Sequence, residues 1–261
     1  MSSKTAVIIP ARMSSSRFPG KPKAMIAGTS MIERVWRIGK ATNAAEVFVA
    51  TDDTELQSFC EQFGASVIMT SPDCLTGTDR VAEATRTLPD EYDIIFNLQG
   101  DSPIVPPWIL DSIIHVMQQE PEVQIATPMV KLQGQVLQDF IKMKKQGSTT
   151  GTTVTFDTQG YALYFSKGFI PFLRDPAIEN PPVYRHIGLY CYRREALFTF
   201  ATLPEGMFEK VEKLEQLRAM ENGIRVRAVE VDYRGRTTHS VDNPEDVALV
   251  ENIIATEGEI V

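Results

Sequence analysis

The stretch Thr5-Ala6-Val7-Ile8-Ile9-Pro10-Ala11-Arg12-Met13-Ser14-Ser15-Ser16-Arg17-Phe18-Pro19-Gly20-Lys21-Pro22 joins a short apolar run to a loop with three cations and no acid. The chain carries a formal charge of −8, yet Met1 to Ile32 holds five Lys or Arg and no Asp or Glu. An apolar, β-branched run closed by proline reads as a buried strand, Thr5–Ile9. A loop of cations, serines and Pro/Gly breaks directly after a strand is a receptor for a polyphosphate, which is recognised by backbone amides, Lys and Arg. Arg12 can fork two phosphate oxygens, and Lys21 acts as a mobile point charge. The alternative is a solvated basic loop. The pattern G-x-x-x-x-G-K-[ST] is absent, which disfavours a P-loop kinase or ATPase.

Outward from this loop, short apolar runs alternate with helical patterns. Glu46–Thr51, Ser66–Thr70 and Asp93–Leu98 read as strands. Ser30-Met31-Ile32-Glu33 is a capping box opening a helix to about Ala41, and Thr54–Phe63, Asp79–Thr87 and Pro107–Gln119 read as further helices. The alternation predicts an α/β fold of the Rossmann-like kind, with a mainly parallel sheet flanked by helices. Such sheets bind ligands at the carboxyl ends of their strands, so the cationic loop and Gln99-Gly100-Asp101 belong to one edge. The second half is less regular. Val123–Val130, Ile187–Tyr192 and Arg225–Val231 read as strands, and Thr152–Phe156 with Tyr161–Phe165 as a hairpin around Asp157-Thr158-Gln159-Gly160. Met207–Asn222 reads as one amphipathic helix, Pro244 opens the last helix, and the polar stretch Gln133–Gly151 is expected to be mobile.

At 261 residues, with 43% hydrophobic and 23% charged, the chain suits a single domain, 1–261, with a smaller mixed β portion at about 130–200. Its acidic balance argues against nucleic-acid or anionic-membrane binding, and no apolar run reaches membrane-spanning length. Cys60, Cys74 and Cys191 are odd in number and scattered, as expected of reduced thiols in a cytoplasmic protein.

Several side chains can carry chemistry. Asp101 ends an apolar strand and can hold Mg²⁺ against phosphate oxygens; the plain alternative is a turn or capping residue. Asp242, just ahead of the last helix, is a second oxygen ligand or a cap. Gly77-Thr78-Asp79-Arg80 can line a nucleotide pocket, although Thr78 can also be a helix cap. His186 precedes a strand and is a catalyst or a structural hydrogen-bonder. Glu215 and Gln216 are ligand contacts or a solvated helix face. His115 and His239 receive no role.

In order along the chain, Ile9-Pro10-Ala11-Arg12 with Arg17-Phe18-Pro19-Gly20-Lys21-Pro22, Ala50-Thr51-Asp52-Asp53, Gly77-Thr78-Asp79-Arg80, Asn97-Leu98-Gln99-Gly100-Asp101 and Tyr161–Ser166 resemble the 3-deoxy-manno-octulosonate (Kdo) cytidylyltransferases. Arg185-His186-Ile187-Gly188-Leu189-Tyr190, Leu214-Glu215-Gln216-Leu217-Arg218 and Val241–Asp246 complete the set. The resemblance implies a nucleotide-diphospho-sugar transferase fold, a cytoplasmic homodimer with about 130–200 as the acceptor-binding and dimerisation portion, and Mg²⁺-dependent transfer of CMP from CTP to a 3-deoxy-2-ulosonic acid, for lipopolysaccharide or capsule biosynthesis. It implies that Pro10, Ala11, Arg12, Lys21, Thr78 and Arg80 hold the nucleotide, and that Asp101 and Asp242 bind the metal. Gln99, His186, Glu215 and Gln216 would hold the sugar acid, with Arg174 and Tyr190. Lys21, Arg12 and Asp101 would be the catalytic set. The chain departs from the family at Ser102, where an acid is usual, at Gly151–Thr155, where a lysine is usual, and at Phe208–Lys213. These departures fall on the acceptor side and leave Kdo, its 8-amino analogue or another acidic acceptor open. A glycosyltransferase holding a finished nucleotide-sugar through a strand-end Asp and a divalent ion is the rival enzyme class. A non-catalytic nucleotide-binding module is the rival outside enzymes.

Overall fold

A computed structural model describes residues 4–15, 17–44, 46–175 and 178–261; Ser16 of the cationic loop lies outside them. The chain opens with β1 (Lys4–Pro10), a short hairpin of β2 (Met25–Ile26) and β3 (Thr29–Ser30), then α1 (Met31–Lys40), β4 (Glu46–Thr51), α2 (Thr54–Gln62), β5 (Ser66–Met69), α3 (Gly77–Arg86), β6 (Tyr92–Asn97) and α4 (Pro107–Gln119). There follow β7 (Ile125–Lys131), α5 (Gly134–Lys145), β8 (Thr152–Phe156), β9 (Ala162–Ser166), β10 (Tyr184–His186), β11 (Tyr190–Arg193), α6 (Arg194–Thr202), α7 (Met207–Glu212), α8 (Gln216–Glu221), β12 (Val226–Glu230) and α9 (Glu245–Glu257).

Strands β5, β4, β1 and β6 lie side by side and parallel. The sheet then turns mixed: β11 runs antiparallel between β6 and β7, β10, β8 and β9 continue antiparallel, and β12 pairs parallel with β7. The β-rich second half is thus an extension of the main sheet. β1 is buried on both faces, which explains its unbroken apolar run. Val7 and Ile9 pack with Val35, Leu56 and Ile109 of α1, α2 and α4. Ala6 and Ile8 face the other way, toward Val81, Leu197 and Leu217 of α3, α6 and α8.

A third apolar cluster positions the site. Ile26, Met31 and Ile104 pack against Val241, Val250 and Ile254. This docks α9 beside the hairpin that follows the cationic loop, reinforced by Arg34 pairing with Glu259 at 2.7 Å and by Glu251 accepting the Ala27 amide at 2.8 Å. The Val241 amide then bonds the Asp101 carbonyl at 2.9 Å, so two residues far apart in sequence become neighbours.

Three expectations change. Residues 134–145 form α5 rather than a mobile stretch, because Leu137 and Phe140 repeat at helical spacing and bury against Leu132 and Val183. Of the expected strand Ile187–Tyr192 only Tyr190–Tyr192 is strand, in β11; Ile187–Leu189 form a turn after β10, with the Leu189 amide turning back onto the Ile187 carbonyl at 2.7 Å. The helix expected over Met207–Asn222 breaks at Lys213, which sits at φ 52° and turns Leu214 inward. A buried ion pair, Arg218 to Glu209 at 2.6 and 2.8 Å, closes the break. The helix α6 is not apparent in the sequence pattern.

Candidate active site

At the carboxyl ends of β1 and β6 the backbone is brought very close. A Cβ on Gly100 would stand 2.9 Å from the Pro10 carbonyl oxygen, so only glycine permits this approach. Here a cavity of about 240 Å³ opens, lined by Pro10, Ala11, Arg12, Arg17, Lys21, Arg80 and Asp101 among others. Gly20, at φ 72°, turns the loop so that its amide bonds the Met13 carbonyl at 3.1 Å, and Lys21 follows with its ammonium 3.0 Å from Asp101 Oδ2. Arg80 is buried beside Asp52 at 3.3 Å and bonds Thr70 at 2.5 Å, which fixes its guanidinium in the cavity wall. Asp52 carries a role that the sequence reading did not assign, although its motif was noted.

A second cavity, of about 510 Å³, adjoins the first and shares Arg17, Gln99 and Asp101 with it. Its remaining wall includes Arg185, His186, His239, Asp242 and Asp246. Asp242 does not cap α9: its carboxylate meets Arg17 at 2.8 Å. The N-cap position is Pro244, and Asp246 in the first turn reaches back: its Oδ2 accepts the Asp242 and Asn243 amides at 2.8 and 2.7 Å while Oδ1 faces His239 at 3.3 Å. Burial pushes the Asp246 carboxyl up, but those two amides and His239 bring it below the usual range. Lys21, Asp101 and Asp242 therefore converge, with Arg12 on the first cavity, Asp242 on the second, and Asp101 on both.

Beneath these cavities lies a buried polar network. Gln99 donates to Asn97 at 3.0 Å, Asn97 to Thr78 at 3.4 Å, and Thr78 to Glu215 Oε2 at 2.8 Å. Thr76, not Thr78, caps α3, in a reciprocal box with Asp79. Tyr190 donates to Gln216 Oε1 at 2.9 Å. Burial raises the Glu215 carboxyl and holds the Tyr190 hydroxyl well above its usual range. Glu215 Oε1 and Gln216 Nε2 are buried without a hydrogen-bond partner, although Arg218 stands 3.7 Å from Glu215 Oε1. Thr78, Glu215, Gln216 and Tyr190 line neither cavity, and Arg174 is exposed in a loop away from both. His186 lines the second cavity through one side and is otherwise enclosed: its Nε2 lies 2.8 Å from the Thr127 hydroxyl and its ring packs edge-on to Phe165. Burial pushes its pKa down to about 3, and the neighbouring Arg185 adds to this, so the ring is neutral.

All three cysteines are free. Cys74 lines the first cavity, but burial and its bond to Glu83 push the thiol up to about 12, which keeps it protonated. Among the described residues no group of three or more His, Cys, Asp or Glu gathers as a metal site, and no helix is long and apolar enough to cross a membrane. Asp101 and Asp242 offer two hard oxygen donors beside a cationic cavity. That set fits Mg²⁺, which takes one or two carboxylates together with phosphate oxygens and water.

The mostly parallel sheet flanked by helices, with a cation-lined cavity at its carboxyl edge, has the fold of the nucleotidyltransferases. The sequence profile of the family described as cytidylyltransferase matches residues 6–226, and the chain belongs to that family. It is 49% identical to the 3-deoxy-manno-octulosonate cytidylyltransferase of Maricaulis maris (strain MCS10), over 97% of this chain and 98% of that one. It is 40% identical to the 8-amino-3,8-dideoxy-manno-octulosonate cytidylyltransferase of Shewanella sp. (strain ANA-3), over 96% and 98%. A solved structure of CMP:2-keto-3-deoxy-manno-octonic acid synthetase complexed with CTP superposes with a TM-score of 0.86 at 36% identity, covering 98% of this chain and 100% of that one.

Proposed function

We propose that this protein transfers CMP from CTP to the anomeric C2 hydroxyl of a 3-deoxy-2-ulosonic acid of the Kdo or 8-amino-Kdo class, releasing pyrophosphate, in lipopolysaccharide or capsule biosynthesis. The observation that carries this reading is the wall common to the two cavities: Asp101 and Gln99 face a cation-lined chamber on one side and the chamber of His186 and Asp242 on the other. A phosphorus atom at that wall would be attacked from the second chamber and lose its leaving group into the first.

Arg12 and Lys21 take the triphosphate in this reading and offset the charge that gathers on departing pyrophosphate, with Pro10 and Ala11 as the backbone floor. Arg80 and Thr78 belong to the nucleotide side. Gln99 and neutral His186 face the sugar acid directly. Glu215 and Gln216 reach it through the buried network or on closure, since each keeps a buried polar atom without a hydrogen bond, and Tyr190 joins them through its bond to Gln216. Arg174 is the most remote candidate. Asp101 and Asp242 would hold Mg²⁺, which when bound would supply charge stabilisation to the phosphates and lower the pKa of a nearby hydroxyl. Lys21 and Arg17 occupy those carboxylates in this structure, and both cations are free to move to phosphate oxygens as nucleotide enters. Positioning and charge neutralisation suffice, without a covalent nucleophile. The assembly we infer is a cytoplasmic homodimer.

A pyrophosphate-release screen tests the reading. CTP and UTP are crossed with Kdo, 8-amino-Kdo and a sialic-acid-type acceptor, with and without Mg²⁺. Release is expected with CTP and one of the first two acceptors, and only with metal. Absence of pyrophosphate with every acid would sink the reading and revive a nucleotide-sugar donor.

A further inference from the structure

Arg185 lies on β10 between β7 and β8, in register with Val130 and Thr153. It lines the second cavity. Its Nε is buried with no hydrogen-bond partner, and it forms no ion pair among the described residues. Arg185 as a whole is half-buried, and a charge drawn partly out of water without a counter-charge is unfavourable unless a partner restores what water supplied. Burial disfavours the charge on Arg185, and the one neighbour that supports it, Tyr233, is a phenol that burial keeps protonated. Its other neighbours make the imbalance worse: it acts on neutral His186 and on the ammonium of Lys144, itself spent on the carbonyls of Gly151 and Lys167 at 2.5 Å. The carboxylates that share the cavity are already committed, Asp101 to Lys21, Asp242 to Arg17, and Asp246 to two amides and His239.

We propose that Arg185 is the receptor for the acceptor's carboxylate. The inference rests on the reading of the second cavity as the acceptor chamber. A planar guanidinium matches a carboxylate in geometry and charge. Arg185 lines the second cavity and not the first, so its anion comes from the acceptor and not from the nucleotide's phosphates. Engaging it anchors the acid end of the sugar, so the residue selects acidic acceptors over neutral sugars of the same shape. Unbound, the charge is a standing cost in stability, as at many binding sites.

The test compares the sugar acid with its C1 carboxamide, which keeps size and loses charge, in the wild type, Arg185→Met and Arg185→Lys. Hydrogen bonds to charged groups typically contribute about 1.5–3 kcal/mol, which is roughly 10- to 100-fold. The wild type is expected to favour acid over amide by that factor in kcat/KM. Arg185→Met brings the acid down to the amide's level, leaves the amide and the KM for CTP unchanged, and melts at or above the wild-type temperature. Arg185→Lys recovers part of the preference. Equal losses for acid and amide, an unchanged acid rate, or a raised KM for CTP would each overturn the proposal. If Arg185→Met does not fold, the wild-type ratio and the Lys variant decide, and a wild-type ratio near one overturns it. A wild type that releases no pyrophosphate with any acid removes the functional reading as well, whereas turnover with a preference indifferent to residue 185 removes only this inference.

Discussion

The two halves of the sheet solve different problems. On the parallel side, β5–β4–β1–β6, the pocket is made by chain turning: glycine at 20, 77 and 100, a proline at 10, and cations on one loop within ten residues of each other. On the mixed side, β11–β7–β10–β8–β9 with β12, the pocket is made by assembly. Arg185 comes from β10, Gln99 from the loop after β6, Asp242 from the turn before α9, and the network below from α3 and the α7–α8 break. A nucleotide polyphosphate presents charge to any nearby cation and amide, so a contiguous loop serves it. A sugar acid presents one carboxylate among many hydroxyls, and its recognition needs groups at separated points.

If the mixed side is held by buried polar contacts, cutting one should cost stability more than anywhere on the parallel side. The Glu209–Arg218 pair is the sharpest case, with both side chains under a tenth exposed and two bonds at 2.6 and 2.8 Å. Burial raises the Glu209 carboxyl, yet Arg218 brings it below its usual range. Glu209→Ala strands a buried guanidinium and is expected to lower unfolding free energy by about 3–5 kcal/mol in denaturant titration. A loss under 1 kcal/mol would mean that the α7–α8 break carries no stabilising contact.

The loop of the parallel side should show the converse: a large catalytic effect with little change in stability. Lys21→Ala removes a preorganised cation and is expected to lower kcat/KM for CTP on the order of 10²–10³-fold. The acceptor's KM at saturating CTP should stay within about twofold, and the melting temperature should hardly move, because the Lys21–Asp101 pair is partly exposed. An equal rise in both KM values would show that the halves are not separable.

The contrast also explains what could be read from residues. The strands and helices to Gln119 were legible, since each buried strand is an apolar run and each helix a local repeat. The loop 10–22 and Asp101 were legible because motif and strand end coincide, and Arg80 because its motif opens α3. The α7–α8 break was hidden, because the positive φ at Lys213 is imposed by burial of Leu214 and the Glu209–Arg218 pair rather than by glycine. Arg185 was quoted only within a motif; nothing local distinguishes a solvated arginine from one enclosed between β7 and β8. Asp246 was hidden likewise, because its partners are backbone amides.

Asp246 marks where the halves meet. Asp246→Ala frees the Asp242 and Asn243 amides, and hydrogen exchange over residues 240–246 should quicken. Losing hydrogen bonds to a charged acceptor is expected to raise the half-saturating Mg²⁺ concentration by roughly 10-fold or more. Asp246→Asn, which keeps one accepting oxygen, should recover most of it. Faster exchange with an unchanged metal requirement would separate the turn from the metal-binding reading of Asp242.

The smallest effect concerns His186, at the junction of cavity and core. Its folded-state pKa of about 3 lies below the value of about 6.5 expected when unfolded. Above pH 6.5 the ring is neutral in both states and contributes no pH dependence. As pH falls below 6.5 the unfolded chain takes up a proton that the folded ring refuses, so stability declines until the pH reaches the folded pKa. Between pH 7.5 and 5.5 this amounts to about 1.4 kcal/mol. Comparing unfolding free energies of wild type and His186→Gln at these two pH values isolates it, because the other titrating groups are common to both. The variant should lose less stability than the wild type by about that amount. Equal losses would place the ring in contact with water, and with it the floor of the second cavity.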